Sequence, residues 1–191
     1  MSESESVILS VVDVFENLGI PYFIGGSFAS SVYGRVRATQ DVDIIASMNL
    51  EHVSHFVREL QQDFYIDEMM IRRAISHRTH FNLIHLETSF KVDVFLPKDR
   101  PFDRQQFYRA VKQAIDKESL RLVNFSSPED TILAKLEWYR LGGKESEVQW
   151  RDTQGILKQQ FDQLDIDYLT DSAEAMNISD MLERSLEEAH K

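Results

Sequence analysis

Asp41-Val42-Asp43-Ile44-Ile45-Ala46 is the stretch on which the reading of this chain turns. Val42, Ile44 and Ala46 alternate with the two aspartates, which is the period of a strand with one face in a core. On such a strand both carboxylates leave from the same face, with backbones about 6–7 Å apart. Two like charges this close oppose each other unless a cation, a base or deep solvation compensates. A hard divalent ion such as Mg²⁺ is a natural compensation, because it takes carboxylate oxygens and keeps positions open for phosphate. Taken alone, an Asp-x-Asp pair at a strand end is more often a solvated edge or a cap.

Upstream, Tyr22-Phe23-Ile24 reads as a short buried strand, and Gly25-Gly26-Ser27 turns the chain into a helix over about 28–33. Glycine lets backbone N–H groups approach a ligand closely, and a helix N-terminus favours anions, so this turn is a candidate phosphate cradle. It is neither a P-loop nor a dinucleotide fingerprint, since Gly-x-x-x-x-Gly-Lys and Gly-x-Gly-x-x-Gly are both absent. An EF-hand is excluded by Ala46 and His52, which stand where that loop needs Gly and Glu. Downstream, Asp93 lies mid-strand in Lys91-Val92-Asp93-Val94-Phe95. Unpaired and buried, it would cost several kcal/mol in desolvation. Lys91 or another polar group serves it, or it joins the first pair across adjacent strands, or its face meets water.

Around these segments the pattern predicts a helix over 5–18 stopped by Gly19, and another over 50–60. Strands are expected over 81–86 and 91–96, joined by a hairpin at Glu87-Thr88-Ser89, with weaker extended stretches at 111–115 and 120–125. After Ser127 only helices follow. Ser127 is the N-cap and Pro128 the first position of a helix ending at Gly142-Gly143, with more over 148–160, 166–176 and 179–189. The expected fold class is α+β: a small mixed sheet flanked by helices over 1–126, then a helical region over 127–191 packed on that core.

Composition narrows the function classes. The chain has 191 residues, 42% hydrophobic and 28% charged, which is too apolar for disorder. No apolar run approaches the ~18–20 residues of a membrane span, so no membrane partner is expected. The first twenty residues carry acids rather than a basic start and do not read as a signal peptide. With no cysteine there is no disulfide, thiolate zinc site or Cys nucleophile, and a cytoplasmic setting is the simplest fit. The net charge of −11 argues against a broad nucleic-acid grip, although 162–191 alone carry −7 and leave room for a local basic patch. His77, His80 and His85 do not make a convincing zinc site, because alternation sends His80 and His85 to opposite faces. Trp138, Tyr139 and Trp150 are expected to pack inside, with base stacking as the sharper alternative.

In order, the chain offers strand, Gly25-Gly26-Ser27, helix, Arg37-x-Thr39-x-Asp41-x-Asp43, and Asp93 on a later strand. This resembles the nucleotidyltransferase superfamily of the DNA polymerase beta type, and within it the abortive-infection type toxin nucleotidyltransferases. Their later elements are similar to Lys91-x-Asp93, Lys135 on a helix, and Arg151-Asp152. The resemblance spans about 5–189, but the chain is short beside those toxins, so toxin activity is not carried over.

What the resemblance implies is a Mg²⁺-dependent transfer of a nucleoside monophosphate from an NTP to an acceptor hydroxyl on tRNA, a protein or a small molecule. It implies that Asp41, Asp43 and Asp93 hold two Mg²⁺ ions and that Gly25, Gly26, Ser27, Arg37 and Thr39 bind the nucleotide phosphates. Lys135 and Asp152 would join the catalytic set, Lys135 reaching a phosphate and Asp152 orienting Lys135 or assisting a nucleophile, and an antitoxin-like protein partner fits the same relatives. For single residues other readings stay open: Lys135 as an exposed helix lysine, Asp152 as a first-turn acid, Arg37 as a partner for a strand acid. Two other classes also stay open. One is a catalytically silent nucleotide- or partner-binding module of the same fold, and the other a metal-dependent glycosyltransferase using Asp-x-Asp.

Overall fold

Alternation builds the sheet. The structure, a computed structural model, describes residues 2–34, 39–115, 121–143 and 146–189. Its strands are β1 (Tyr22–Ile24), β2 (Asp41–Ala46), β3 (Phe64–Tyr65), β4 (His80–His85), β5 (Lys91–Phe95), β6 (Val111–Ala114) and β7 (Leu122–Phe125). Its helices are α1 (Glu3–Asn17), α2 (Gly26–Tyr33), α3 (Val53–Leu60), α4 (Glu68–His77), α5 (Pro101–Arg109), α6 (Pro128–Leu141), α7 (Glu147–Gln160), α8 (Ile166–Ala175) and α9 (Ser179–Ala189). The fold class is α+β, a mixed sheet with flanking helices and a helical C-terminal stretch.

Contacts along the chain divide it into two units, one holding α1, the seven strands and α3 to α5, the other α2 with α6 to α9. In the first unit the strand order is β3-β4-β5-β2-β1-β7-β6. β2 pairs with β5 and β1 with β7 in parallel, and the remaining neighbours are antiparallel. The side chains of Val42, Ile44, Val92, Val94, Phe81 and Leu83 leave one face and are buried. Phe15 of α1 and Phe56 of α3 stack there with ring centroids 5.1 Å apart, and Phe56 meets Phe81 edge-on at 6.1 Å. Such aromatic pairs add to the transfer free energy of the surrounding aliphatic core. α1 starts cleanly because Ser2 and Glu5 form a capping box, satisfying donors that a helix N-terminus leaves open.

In the second unit, Ser127 caps α6 by accepting from the Asp130 N–H at 3.1 Å, with Pro128 at the first position. α2 is held by Tyr33, whose hydroxyl donates to the Ser126 carbonyl at 2.8 Å, and by Gln160 donating to the Tyr33 carbonyl at 3.1 Å. At Gly34 a Cβ would stand 2.9 Å from the Ile156 nitrogen and 3.0 Å from the Gly155 carbonyl carbon, so the end of α2 touches α7 backbone to backbone. Tyr139 packs against Trp150 with ring centroids 5.1 Å apart, and Arg184 lies over the Trp150 ring at 4.5 Å, which fills that aromatic surface from within the unit. Trp138 departs from the expected packing: it stands on the outer side of α6, more than half exposed.

β3, α4 and α5 were not anticipated by the pattern of the sequence. α4 buries only Ile71 and Ala74, and α5 buries only Gln106, so neither carries a broad apolar stripe. Among the described residues no helix is long and apolar enough to cross a membrane.

Candidate active site

Asp41 and Asp43 are half-buried on β2, with Val42 and Ile44 buried on its other side, so the two carboxylates share a face. β5 lies alongside in parallel, and its register sets Asp41 against Lys91 and Asp43 against Asp93. β4 continues the second row with Asn82 opposite Asp93. One polar row, Asp43-Asp93-Asn82, thus crosses three neighbouring strands, with Asp41 and Lys91 in the row beside it. Asn82 was not singled out from the sequence; its only signal is a polar residue between Phe81 and Leu83 in a strand, and its importance comes from register.

Asp93 is buried, at 8% exposure, between Val92 and Val94. Its carboxylate is compensated by one cation and faces one like charge. Lys91 Nζ stands 2.6 Å from its Oδ2, and Asp43 lies beside it across the strand pair. The same ammonium is 3.9 Å from Asp41 Oδ2. The hydrogen bond to Asp93 holds the Lys91 pKa above its ordinary value; partial burial opposes this, and the charges of Asp93, Asp41 and Asp43 add to it. Thr39 closes the other side of Asp41, its Oγ1 donating to Asp41 Oδ1 at 2.9 Å. Among the described residues no three His, Asp or Glu side chains already form a cage for a metal ion. The donor set itself fits a hard dication: all-oxygen, acidic, on one face of adjacent strands, and already gathered around the positive charge of Lys91.

The Gly25-Gly26-Ser27 turn opens α2 in the second unit. Gly25 is its N-cap, without a side chain to cap the helix, and Gly26 has φ +56°, a left-handed conformation that glycine adopts without a Cβ penalty. The Ser30 and Ser31 hydroxyls bond back to the carbonyls of Gly26 and Ser27 at 2.7 and 3.0 Å, which holds the first turn in place. Arg37 lies outside the described residues.

Lys135 and Asp152 come together in the second unit. Lys135 Nζ is 2.8 Å from Asp152 Oδ2, and the two residues are 4% and 9% exposed. Lys135 is therefore not an exposed helix lysine. Asp152 lies beyond the first turn of α7, which begins at Glu147, and is not a first-turn acid. An ion pair this deep persists only because each partner compensates the other's desolvation. Nearby in the chain, Asp130 accepts from the Tyr168 hydroxyl at 2.6 Å and Glu129 from the Asp165 N–H at 3.0 Å. Burial, then the charges of Glu129 and Asp130, push the Tyr33 phenol well above its ordinary pKa.

No protein-family model matches the chain, and no curated protein matches it by sequence. Solved structures do. An antigenic nucleotidyltransferase-like protein from Paracoccidioides brasiliensis superposes with a TM-score of 0.58 at 18% identity, covering 97% of this chain and 92% of that one. ANT(2")-Ia in complex with adenylyl-2"-tobramycin superposes with a TM-score of 0.62 at 13% identity, covering 92% and 98%. The solution structure of the antibiotic-resistance factor ANT(2'')-Ia does so at 0.52 and 15%, covering 97% and 93%. The architecture is a nucleotidyltransferase fold. At these identities the likeness concerns the fold, and the chemistry rests on the residues themselves.

Proposed function

We propose that this protein is a nucleotidyltransferase that moves a nucleoside monophosphate from an NTP to an acceptor hydroxyl. The observation that carries the reading is the acidic face of β2 and β5, where Asp43 and Asp93 are register partners and Asp41 lies two residues along. In the reaction the acceptor oxygen attacks the α-phosphorus, its bond to the β-phosphate oxygen breaks, and pyrophosphate leaves. The developing charge is spread over phosphoryl oxygens, so the protein's work is positioning and neutralisation. Asp41, Asp43 and Asp93 would hold two Mg²⁺ ions, which supply Lewis-acid stabilisation of the attacking and leaving oxygens. Asp93, on the face where the acceptor hydroxyl would be activated, would also take the proton that hydroxyl releases.

In this reading Gly25, Gly26 and Ser27 take the nucleotide phosphates through backbone N–H groups and the Ser27 hydroxyl, and Arg37 and Thr39 assist. Thr39 acts through Asp41, which its hydroxyl orients. Lys135 and Asp152 act as a buried pair that sets the conformation of α6 against α7. Among acceptors, a small molecule bearing hydroxyls is the first to test, because ANT(2")-Ia, which shares the fold, was solved with adenylyl-2"-tobramycin. Purified protein incubated with α-³²P-labelled NTPs, Mg²⁺ and panels of aminoglycosides, tRNA and cell extract is expected to transfer label and release pyrophosphate. Equal labelling by the Asp41→Asn/Asp43→Asn protein would remove the reading and leave a binding module of the same fold.

A further inference from the structure

Lys91 is the feature of the acidic face that the transfer reaction does not by itself require. It is the first residue of β5, two positions before Asp93, so its side chain leaves the same face as Asp93 and meets Asp41 across the strand pair. Its Nζ lies 2.6 Å from Asp93 Oδ2 and 3.9 Å from Asp41 Oδ2. The Lys91 side chain is 40% exposed, whereas that of Asp93 is 11% exposed. The carboxylate is thus the fixed member of the pair and the ammonium the mobile one, at the end of a flexible four-carbon stem.

We propose that Lys91 is a resident cation that neutralises the acidic face when no metal is bound and is displaced from Asp93 when a divalent ion enters. The inference rests on the reading of Asp41, Asp43 and Asp93 as metal ligands. An ammonium and a dication cannot both sit on the same oxygen of Asp93 without strong repulsion, so the two compete. Leaving is cheap for Lys91, because its half-exposed ammonium can be taken up by solvent while the incoming dication compensates the buried Asp93 carboxylate in its place. Holding the face meanwhile matters, because three acids on adjacent strands would otherwise repel across the β2–β5 ladder. The freed ammonium then carries its charge to the mouth of the face, where an incoming polyphosphate brings negative charge. Metal affinity is therefore set partly by a side chain that is not a ligand.

The test uses Mn²⁺ alone as the probe, followed by the electron paramagnetic resonance signal of the free ion, with no nucleotide present. The proteins are wild type, Lys91→Met and Asp43→Asn, each checked for folding by circular dichroism. Lys91→Met is expected to bind Mn²⁺ about tenfold more tightly than wild type, the effect of removing one charge near 4 Å at a partly screened site. In wild type, Mn²⁺ is also expected to raise acylation of Lys91 by an amine-reactive ester severalfold, read by peptide mass spectrometry. Equal or weaker Mn²⁺ binding by Lys91→Met, with binding still lost in Asp43→Asn, overturns the role of Lys91 and keeps the metal reading. Binding that is absent from wild type, or undiminished in Asp43→Asn, overturns the metal reading and this inference with it.

Discussion

Asp43 and Asp93 stand opposite each other in the parallel pairing of β2 and β5, so their carboxylates leave the same face on strands about 4.8 Å apart. The partners on either side, Val42 with Val92 and Ile44 with Val94, point the other way and are buried. The apolar rows hold the acidic row in place. A one-residue slip of β5 would send Asp93 into the core and Val92 to the acidic face, which the cost of burying a charge forbids.

Asp93→Asn keeps the shape and removes the charge. Nucleotidyl transfer is expected to fall by about a hundredfold or more, equivalent to about 2.7 kcal/mol of transition-state stabilisation. The thermal midpoint measured in EDTA is expected to change much less, since the substitution also relieves repulsion with Asp43. Retention of full transfer activity would show that Asp93 is only a structural neighbour.

Lys135→Met leaves Asp152 buried without the ammonium 2.8 Å away. Urea unfolding is expected to show a loss of about 3–5 kcal/mol, the usual cost of removing one charge of a buried pair. The double substitution Lys135→Met/Asp152→Leu is expected to recover most of that stability. If the double variant folds well yet transfers no nucleotide, the pair has a role in the reaction beyond holding α6 to α7.

Gly34→Ala places a methyl 2.9 Å from the Ile156 nitrogen and 3.0 Å from the Gly155 carbonyl carbon, both rigid backbone atoms. The contact cannot be relieved by a side-chain rotation, so α2 must shift from α7. A loss of about 1–3 kcal/mol in chemical denaturation is expected. No change at all would mean that α2 is free to move.

Alkaline pH should weaken the fold at the Tyr22 phenol, which burial raises, and at two further positions. The Tyr33 phenol is raised by burial, and the Lys91 ammonium is raised by its bond to Asp93. A raised pKa in the folded chain gives stability that is complete below the unfolded value, near 10 for both groups, and is lost as pH climbs toward the folded value. The urea midpoint is therefore expected to fall between pH 8.5 and pH 11 more steeply in wild type than in Tyr33→Phe. Parallel curves for the two proteins would contradict the assignment to Tyr33.

Much of this was legible in the sequence where a pattern was local. β2 was expected over 41–46 and occupies Asp41–Ala46, because Val42 and Ile44 alternate with the two aspartates. α6 was readable from Ser127 and Pro128, and the β4–β5 hairpin from the polar residues between two apolar runs. α4 escaped because Arg72 and Arg73 interrupt its stripe, although Asp67, which caps it by accepting from Met70 at 2.9 Å, was a usable signal. α5 escaped because its residues are mostly polar, with Pro101 as the one cue. In the site, the shared face of Asp41 and Asp43 followed from strand geometry. Lys91 beside Asp93 was legible too, two positions apart on one strand. The row of Asp43, Asp93 and Asn82 needed strand order and register, and the Lys135–Asp152 pair needed two helices to be brought side by side. Neither is encoded by spacing along the chain.

β2 and β5 are both interior strands, each hydrogen-bonded to a neighbour on either flank. The main chain beneath the acids is thereby locked, and fraying at a sheet margin cannot loosen it. In the proposed metal-binding reading, any adjustment to a larger or smaller ion would be made by carboxylate torsions and by the reach of Lys91. Discrimination among cations would then be a property of side-chain rotamers over a stiff platform, with ionic radius the variable to which it responds most sharply.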